Sequence, residues 1–177
     1  LQRALGAAGM KSIELHPVVK FKVTDSEALA ASTDLSDLCR EIALVLAEAF
    51  GNVATNRLPE PLKARRVVTR LIDLLDGAPG AQHVWRLEPL LPDFTHHTVM
   101  VTNLALMLGR SVALPRTALA DLGVAAMFHD LGFCLGPDGP MVSFDRHARA
   151  GLGVLLRQRG FHRAKVRRLL AVLTHHR

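Results

Sequence analysis

The stretch Ala125–Gly132, AAMFHDLG, decides how this chain is read. Upstream of it, Pro115 stands where a helix can begin, and Leu119, Leu122 and Ala126 follow at helical spacing. The predicted helix runs to His129, so an apolar helix delivers a histidine and an aspartate side by side at its end. Imidazole nitrogens and carboxylate oxygens suit borderline divalent ions such as iron, manganese, zinc or nickel. One His-Asp pair alone says little, and the weight comes from what surrounds it.

On the N-terminal side, Pro92 opens a predicted helix whose buried stripe is Val101, Leu104, Ala105 and Leu108, up to Gly109. It carries His97 in its first turns, with Asp93 one turn earlier on the same face. On the C-terminal side, a Gly/Pro-rich loop from Gly136 to Pro140 leads to Ser143, the expected N-cap of a helix through Leu152, Leu155 and Leu156 that ends near Gly160. His147 falls early in that helix. A last helix from about His162 passes through Val166, Leu169, Leu170 and Leu173 and ends in His175-His176. Four helices thus each carry a histidine, and ligands from separate helices converge only where facing helices point at a common centre.

Farther upstream, Leu35, Leu38, Ile42, Val45, Leu46 and Ala49 form a helical stripe from Asp34 to a stop at Gly51. Pro59 and Pro61 open another helix, with Leu62, Val67, Leu71 and Leu75 buried and a stop at Gly77. The Ala78-Pro79-Gly80 turn precedes a short helical segment through Leu91. Lys11 to Val23 alternates loosely around Pro17, which predicts one or two short strands.

Composition agrees with an all-α reading: 177 residues, 49% hydrophobic, 5% aromatic and no Tyr. No apolar stretch is expected to span a membrane. No secretory leader follows Leu1-Gln2-Arg3, and a first residue other than Met fits a fragment. Cys39 and Cys134 lack CxxC spacing and read as reduced, partly buried thiols of a cytoplasmic protein. The net charge of +6 would attract anions, but the basic run Arg157 to Arg168 reads as a solvated helix face, so no specific nucleic-acid binding is expected. Met100, Met107 and Met127 read as core filling, and Trp85 as a packing residue. His16, His83 and His162 have no partners at ligand spacing, and His96 points about a quarter-turn from His97.

The ordered set His97, His129-Asp130, His147 and His175-His176 resembles the HD superfamily of metal-dependent phosphohydrolases, and within it the HD-GYP branch. AAMFHDLG is similar to that branch's "aallHDiGk" signature, His147 with Gly151 to its "HPxxG" element, and the terminal pair to its "HHE" element. The resemblance covers about Asp93 to Arg177. It implies an all-α HD-domain helical bundle over residues 91–177, cut short at its C-terminal end. The small N-terminal region of residues 1–90, read above as short strands and helices, is not explained by it and looks like a family-specific extension. The glycine-tyrosine-proline segment and a later ligand aspartate would lie beyond Arg177.

The resemblance further implies two or three divalent ions, commonly iron or manganese, held by His97, His129, Asp130, His147, His175 and His176, with Asp93 as the acidic residue of trinuclear members. Asp130 would bridge two metals and, with His129, form the catalytic pair. The implied reaction is hydrolysis of cyclic di-GMP by a hydroxide shared between the metals, which also neutralise charge building on the phosphate. Arg146 and Arg149 are candidate contacts for the phosphodiester. Phe133 stands where many members carry Lys, and the loop from Asp130 to His147 is short for the branch. These departures motivate two alternatives, a degenerate HD-GYP-like sensor or interaction module and an HD phosphohydrolase for another nucleotide phosphoester. A homodimer is compatible with either.

Overall fold

The computed structural model of the protein describes residues 25–77, 93–135 and 142–176, with side chains from residue 37 onward and, in the second stretch, from residue 94. The expected strands of Lys11 to Val23, the turn and helical segment around Ala78 to Leu91, Trp85 and the Gly136–Pro140 loop lie outside the described residues. Among those described there are six α-helices and one 3₁₀ turn: α1 (Asp25–Ala54), α2 (Pro61–Gly77), α3 (Asp93–Ser111), α4 (Arg116–Met127), the 3₁₀ turn Leu131–Leu135, α5 (His147–Leu156) and α6 (Arg163–Thr174). The expectation of an all-α architecture holds for them.

Helix α4 is the hub. It packs against α2, α3 and α6, while the 3₁₀ turn that follows it is held between α1 and α5. One apolar cluster takes in Ile42 and Leu46 of α1, Leu71 of α2, Leu106 of α3, Val124 and Met127 of α4, Leu155 of α5 and Val172 of α6. Phe128 and Leu131 bury completely on either side of the His-Asp pair. Removing such side chains from water, at about 1.5–3 kcal/mol each, is what holds the pair in place. Glycine permits one of the closest crossings: a Cβ on Gly123 would lie 2.4 Å from Val68 Cγ1 of α2.

Several helix ends differ from expectation. Helix α1 continues through Gly51 to Ala54, and the residue that turns left-handed is Asn56, with φ of 61°. The Arg57 amide then donates back to the Asn52 carbonyl at 2.7 Å, closing the helix end. Helix α3 passes Gly109 to Ser111, and Ala113 takes the positive φ of 55°. Gly109 serves packing instead, since a Cβ there would sit 2.7 Å from Leu119 Cδ2 of α4. At the start of α5, Ser143 acts through its backbone: its carbonyl accepts from the Arg146 and His147 amides, and the helix begins at His147 with no side-chain cap. That helix also ends earlier than expected, at Leu156.

The inward face of α3 is also different. Thr98, Val99, Thr102, Asn103 and Leu106 are buried, whereas Leu104 and Leu108 are exposed. The buried positions keep a helical period, but polar residues fill it. Thr98 and Thr102 donate their hydroxyls to the carbonyls of Phe94 and Thr98 at 3.1 and 2.8 Å, which lets both face the core. Leu62, Leu156, Val166 and Leu170 likewise lie exposed.

The basic run is not a fully solvated face, because Lys165 is only 2% exposed and Arg168 only 5%. The Lys165 ammonium donates to the Leu156 carbonyl at 3.3 Å and to the Gln158 carbonyl, and lies 4.3 Å over the Phe161 ring. It therefore places positive charge at the carbonyl end of α5, where the helix dipole favours it. Lys165→Met is expected to cost about 2 kcal/mol, read as a lower urea midpoint, because the α5 carbonyls would lose their donor inside the fold. An unchanged midpoint would show that water replaces the ammonium freely. His162 caps α6, its Nδ1 accepting from the Lys165 amide at 3.3 Å.

The stretch Arg116–Leu135 is, against expectation, long and apolar enough by composition to cross a membrane, but 72% of its window is buried. Its hydropathy is that of the helix at the centre of the bundle. Cys39 and Cys134 are free thiols, both buried, and burial pushes each up to about 11, with Asp130 adding to the effect at Cys134. Met127 is core, and Met100 packs against it.

Candidate metal centre

The centre is built where α4 stops. Phe128 closes the helix, and its amide still donates to the Ala125 carbonyl. His129 and Asp130 occupy the turn before the 3₁₀ segment, so they emerge beyond the helix end instead of within its last turn. Gly132 then lies against the first turn of α5, where a Cβ would fall 1.8 Å from the His147 carbonyl oxygen and 2.7 Å from the Gly151 amide nitrogen. Only a residue without a side chain allows Asp130 and His147 to come this close.

Around the Asp130 carboxylate the imidazoles divide into two pairs. Oδ2 lies 3.0 Å from His129 Nε2 and 3.4 Å from His97 Nε2, and those two nitrogens are 3.3 Å apart. Oδ1 lies 3.2 Å from His147 Nε2 and 3.4 Å from His175 Nε2, and these nitrogens are 3.0 Å apart. His176 joins the second group, whose ligand atoms with Asp130, His147 and His175 all lie within 4.8 Å of one another. Each carboxylate oxygen thus faces its own pair of histidines.

The hydrogen bonds decide what these atoms can hold. Nδ1 of His129, His147 and His175 faces the backbone carbonyls of Ala126, Phe144 and Val172 respectively. A carbonyl oxygen only accepts, so Nδ1 must carry the proton and, in the neutral ring, Nε2 presents a lone pair. Oδ1 of Asp130 is buried without a hydrogen-bond donor. Lone pairs about 3 Å apart with no hydrogen between them repel, and divalent cations are what such a donor set accommodates. Burial pushes Asp130 up, but a hydrogen bond and positive charge from His129, with charge on His147 and His175, would more than offset it and hold the carboxyl below its usual range; with the rings neutral, a bound cation would supply that positive charge instead. Burial lowers His175, with further lowering from His129 and His147, which favours its neutral, ligating form. The set fits divalent metal ions.

Of the expected site residues, the fold brings together His97, His129, Asp130, His147, His175 and His176. His97 is exposed and forms the open side, whereas His147 is fully buried. Asp93 opens α3, and its side chain lies outside the described residues. Arg146 and Arg149 are exposed beside and within the first turn of α5, and neither side chain bonds to another group among the described residues. His96 holds its Nε2 buried and without a partner. Phe133 stacks on the His147 ring, centroids 4.0 Å apart and planes within 9°. Behind it Phe94 and Phe50 continue an aromatic row. Phe144, which the sequence reading passed over, lies beside His147 and His176. Its position directly before Asp145, Arg146 and His147 was the available signal.

A helical domain that gathers five histidines around one aspartate defines a class of cation-binding protein. Residues 94–177 match the family described as HD domain, which supports placing this half of the chain in the HD superfamily. HD domains are typically metal-dependent hydrolases, so the match suggests phosphohydrolase chemistry and a nucleotide phosphoester substrate in general terms. No curated protein and no solved structure matches the chain.

Proposed function

We propose that the protein is a metal-dependent phosphodiesterase of HD-GYP type that cleaves a cyclic dinucleotide, cyclic di-GMP. One observation carries the reading: both oxygens of a buried carboxylate face separate imidazole pairs, and three of those four rings are held in the tautomer that turns an Nε2 lone pair toward it. Asp130, His97 and His129 would hold one divalent ion, and Asp130, His147, His175 and His176 a second. Iron or manganese is the expected metal, and bound together such ions supply Lewis acidity toward water and toward the phosphodiester oxygens. The backbone carbonyls of Ala126, Phe144 and Val172 keep the three rings in one tautomer and orientation. His97 and His176 are exposed, which leaves the centre open to a phosphoester, whereas His147 is buried beneath the half-buried ring of Phe133. Arg146 and Arg149 are long enough to approach a phosphate from the rim.

A second reading, a sensor that binds without turnover, draws on Phe133, whose ring covers His147 where many relatives carry a cation. The purified protein loaded with Mn²⁺ is expected to convert cyclic di-GMP to the linear dinucleotide or GMP and to stop on chelation. Stoichiometric metal with intact nucleotide after hours would favour the sensor, and turnover of other nucleotide phosphoesters alone would move the substrate assignment.

A further inference from the structure

Six phenylalanines fall among the described residues, and five have a packing role. Phe50, Phe94 and Phe133 form the row that ends on His147, Phe128 is buried in the core, and Phe161 lies under the Lys165 ammonium. Phe161 is itself 72% exposed but has that ammonium over its face, and Phe144 is the exception in having no such cover among the described residues. It is 66% exposed, and its ring neighbours are two histidines of the metal centre, His176 at 4.4 Å and His147 at 5.4 Å between centroids. Its backbone is not free to drift. The Phe144 carbonyl accepts from His147 Nδ1, and the preceding Ser143 carbonyl accepts from the Arg146 and His147 amides at 2.9 and 3.1 Å. The ring is therefore held at a set position relative to the cation ligands.

We propose that Phe144 is the platform on which the nucleobase of the substrate stacks while its phosphate reaches the metal centre. The inference rests on the proposed phosphoester function and adds the part of the ligand that the histidines do not recognise. An apolar ring left in water beside a site for an anion calls for a ligand that joins a flat aromatic group to a phosphate. A nucleotide does so, whereas a sugar phosphate would leave the ring uncovered. Stacking reads the π-face and not the base edge, so a preference for nucleotides over base-free phosphoesters is expected without strong discrimination among bases.

The test compares GMP with ribose 5-phosphate on the Mn²⁺-loaded protein by calorimetric titration. The ratio of the two affinities is expected to fall about tenfold in Phe144→Ala and to recover in Phe144→Tyr and Phe144→Trp. In the hydrolysis of a nucleotide substrate the loss should appear in KM rather than kcat. A ratio unmoved by Phe144→Ala, or no binding of either ligand to the wild-type protein, overturns the platform. Should the wild-type protein turn over no phosphoester, the proposed function fails, and the affinity ratio by itself still decides the role of Phe144.

Discussion

Asp130→Asn is expected to lower hydrolysis by about three orders of magnitude and to strip the protein of metal, while the fold survives. Among the described residues the carboxylate is the one group shared by both imidazole pairs, so its loss would remove a candidate ligand from each side of the centre at once. Loss of groups that merely orient ligands typically costs 10- to 100-fold in metal affinity, and a bridging ligand should cost about tenfold more. Stability should move little. The replacing amide keeps the volume of the carboxylate and brings N–H donors toward lone pairs of Nε2 that have none. Metal content per chain and the urea midpoint, measured on the same preparations, separate the two effects. A variant that retained its metal would show that the imidazoles alone hold the ions.

Gly132→Ala should do the reverse, damaging the fold and the site together. The added Cβ would lie 1.8 Å from the His147 carbonyl oxygen, a backbone atom that cannot swing away as a side chain does. Restoring ordinary contact requires the 3₁₀ turn and α5 to separate by roughly 1.5 Å, whereas metal–ligand distances tolerate shifts of about 0.2 Å. A loss of roughly 3 kcal/mol or more is expected, at the upper end for overpacking, with Asp130 and His147 no longer sharing an ion. Gly151→Ala should be milder, since its nearest contacts would be 3.1 Å to the Gly132 nitrogen and 3.2 Å to Val172 Cγ1. Gly153→Ala, with open space around it, serves as the control. Equal stability of the Gly132 and Gly153 variants would mean that the turn is not pressed against α5.

Between them, these two variants probe different parts of the same design. On the proposed function Asp130 would recruit the cations, and Gly132 supplies the closeness that brings Asp130 and His147, 17 positions apart, together. The buried Lys165 plays a related part at the other end of α5, fixing the helix on which His147 sits.

From its sequence alone the chain could be read as helices punctuated by proline and glycine, with histidines placed in order on four of them. Helix α2 shows why: Pro61 opens it, Gly77 closes it, and Val67, Leu71 and Leu75 keep the period between. Such features are local, written in the spacing of neighbouring residues. What the tertiary structure alone decided is everything that depends on residues distant in the chain. Thr98, Thr102 and Asn103 face inward although they are polar, the two threonine hydroxyls being satisfied by carbonyls of their own helix. Gly109 and Gly123 mark helix crossings and not helix ends, and Lys165 is buried because α5 ends within its reach. The division of the imidazoles between the two oxygens of Asp130 belongs here as well. Periodicity says which residues share a face of a helix, but only packing says which face meets which, and at what distance.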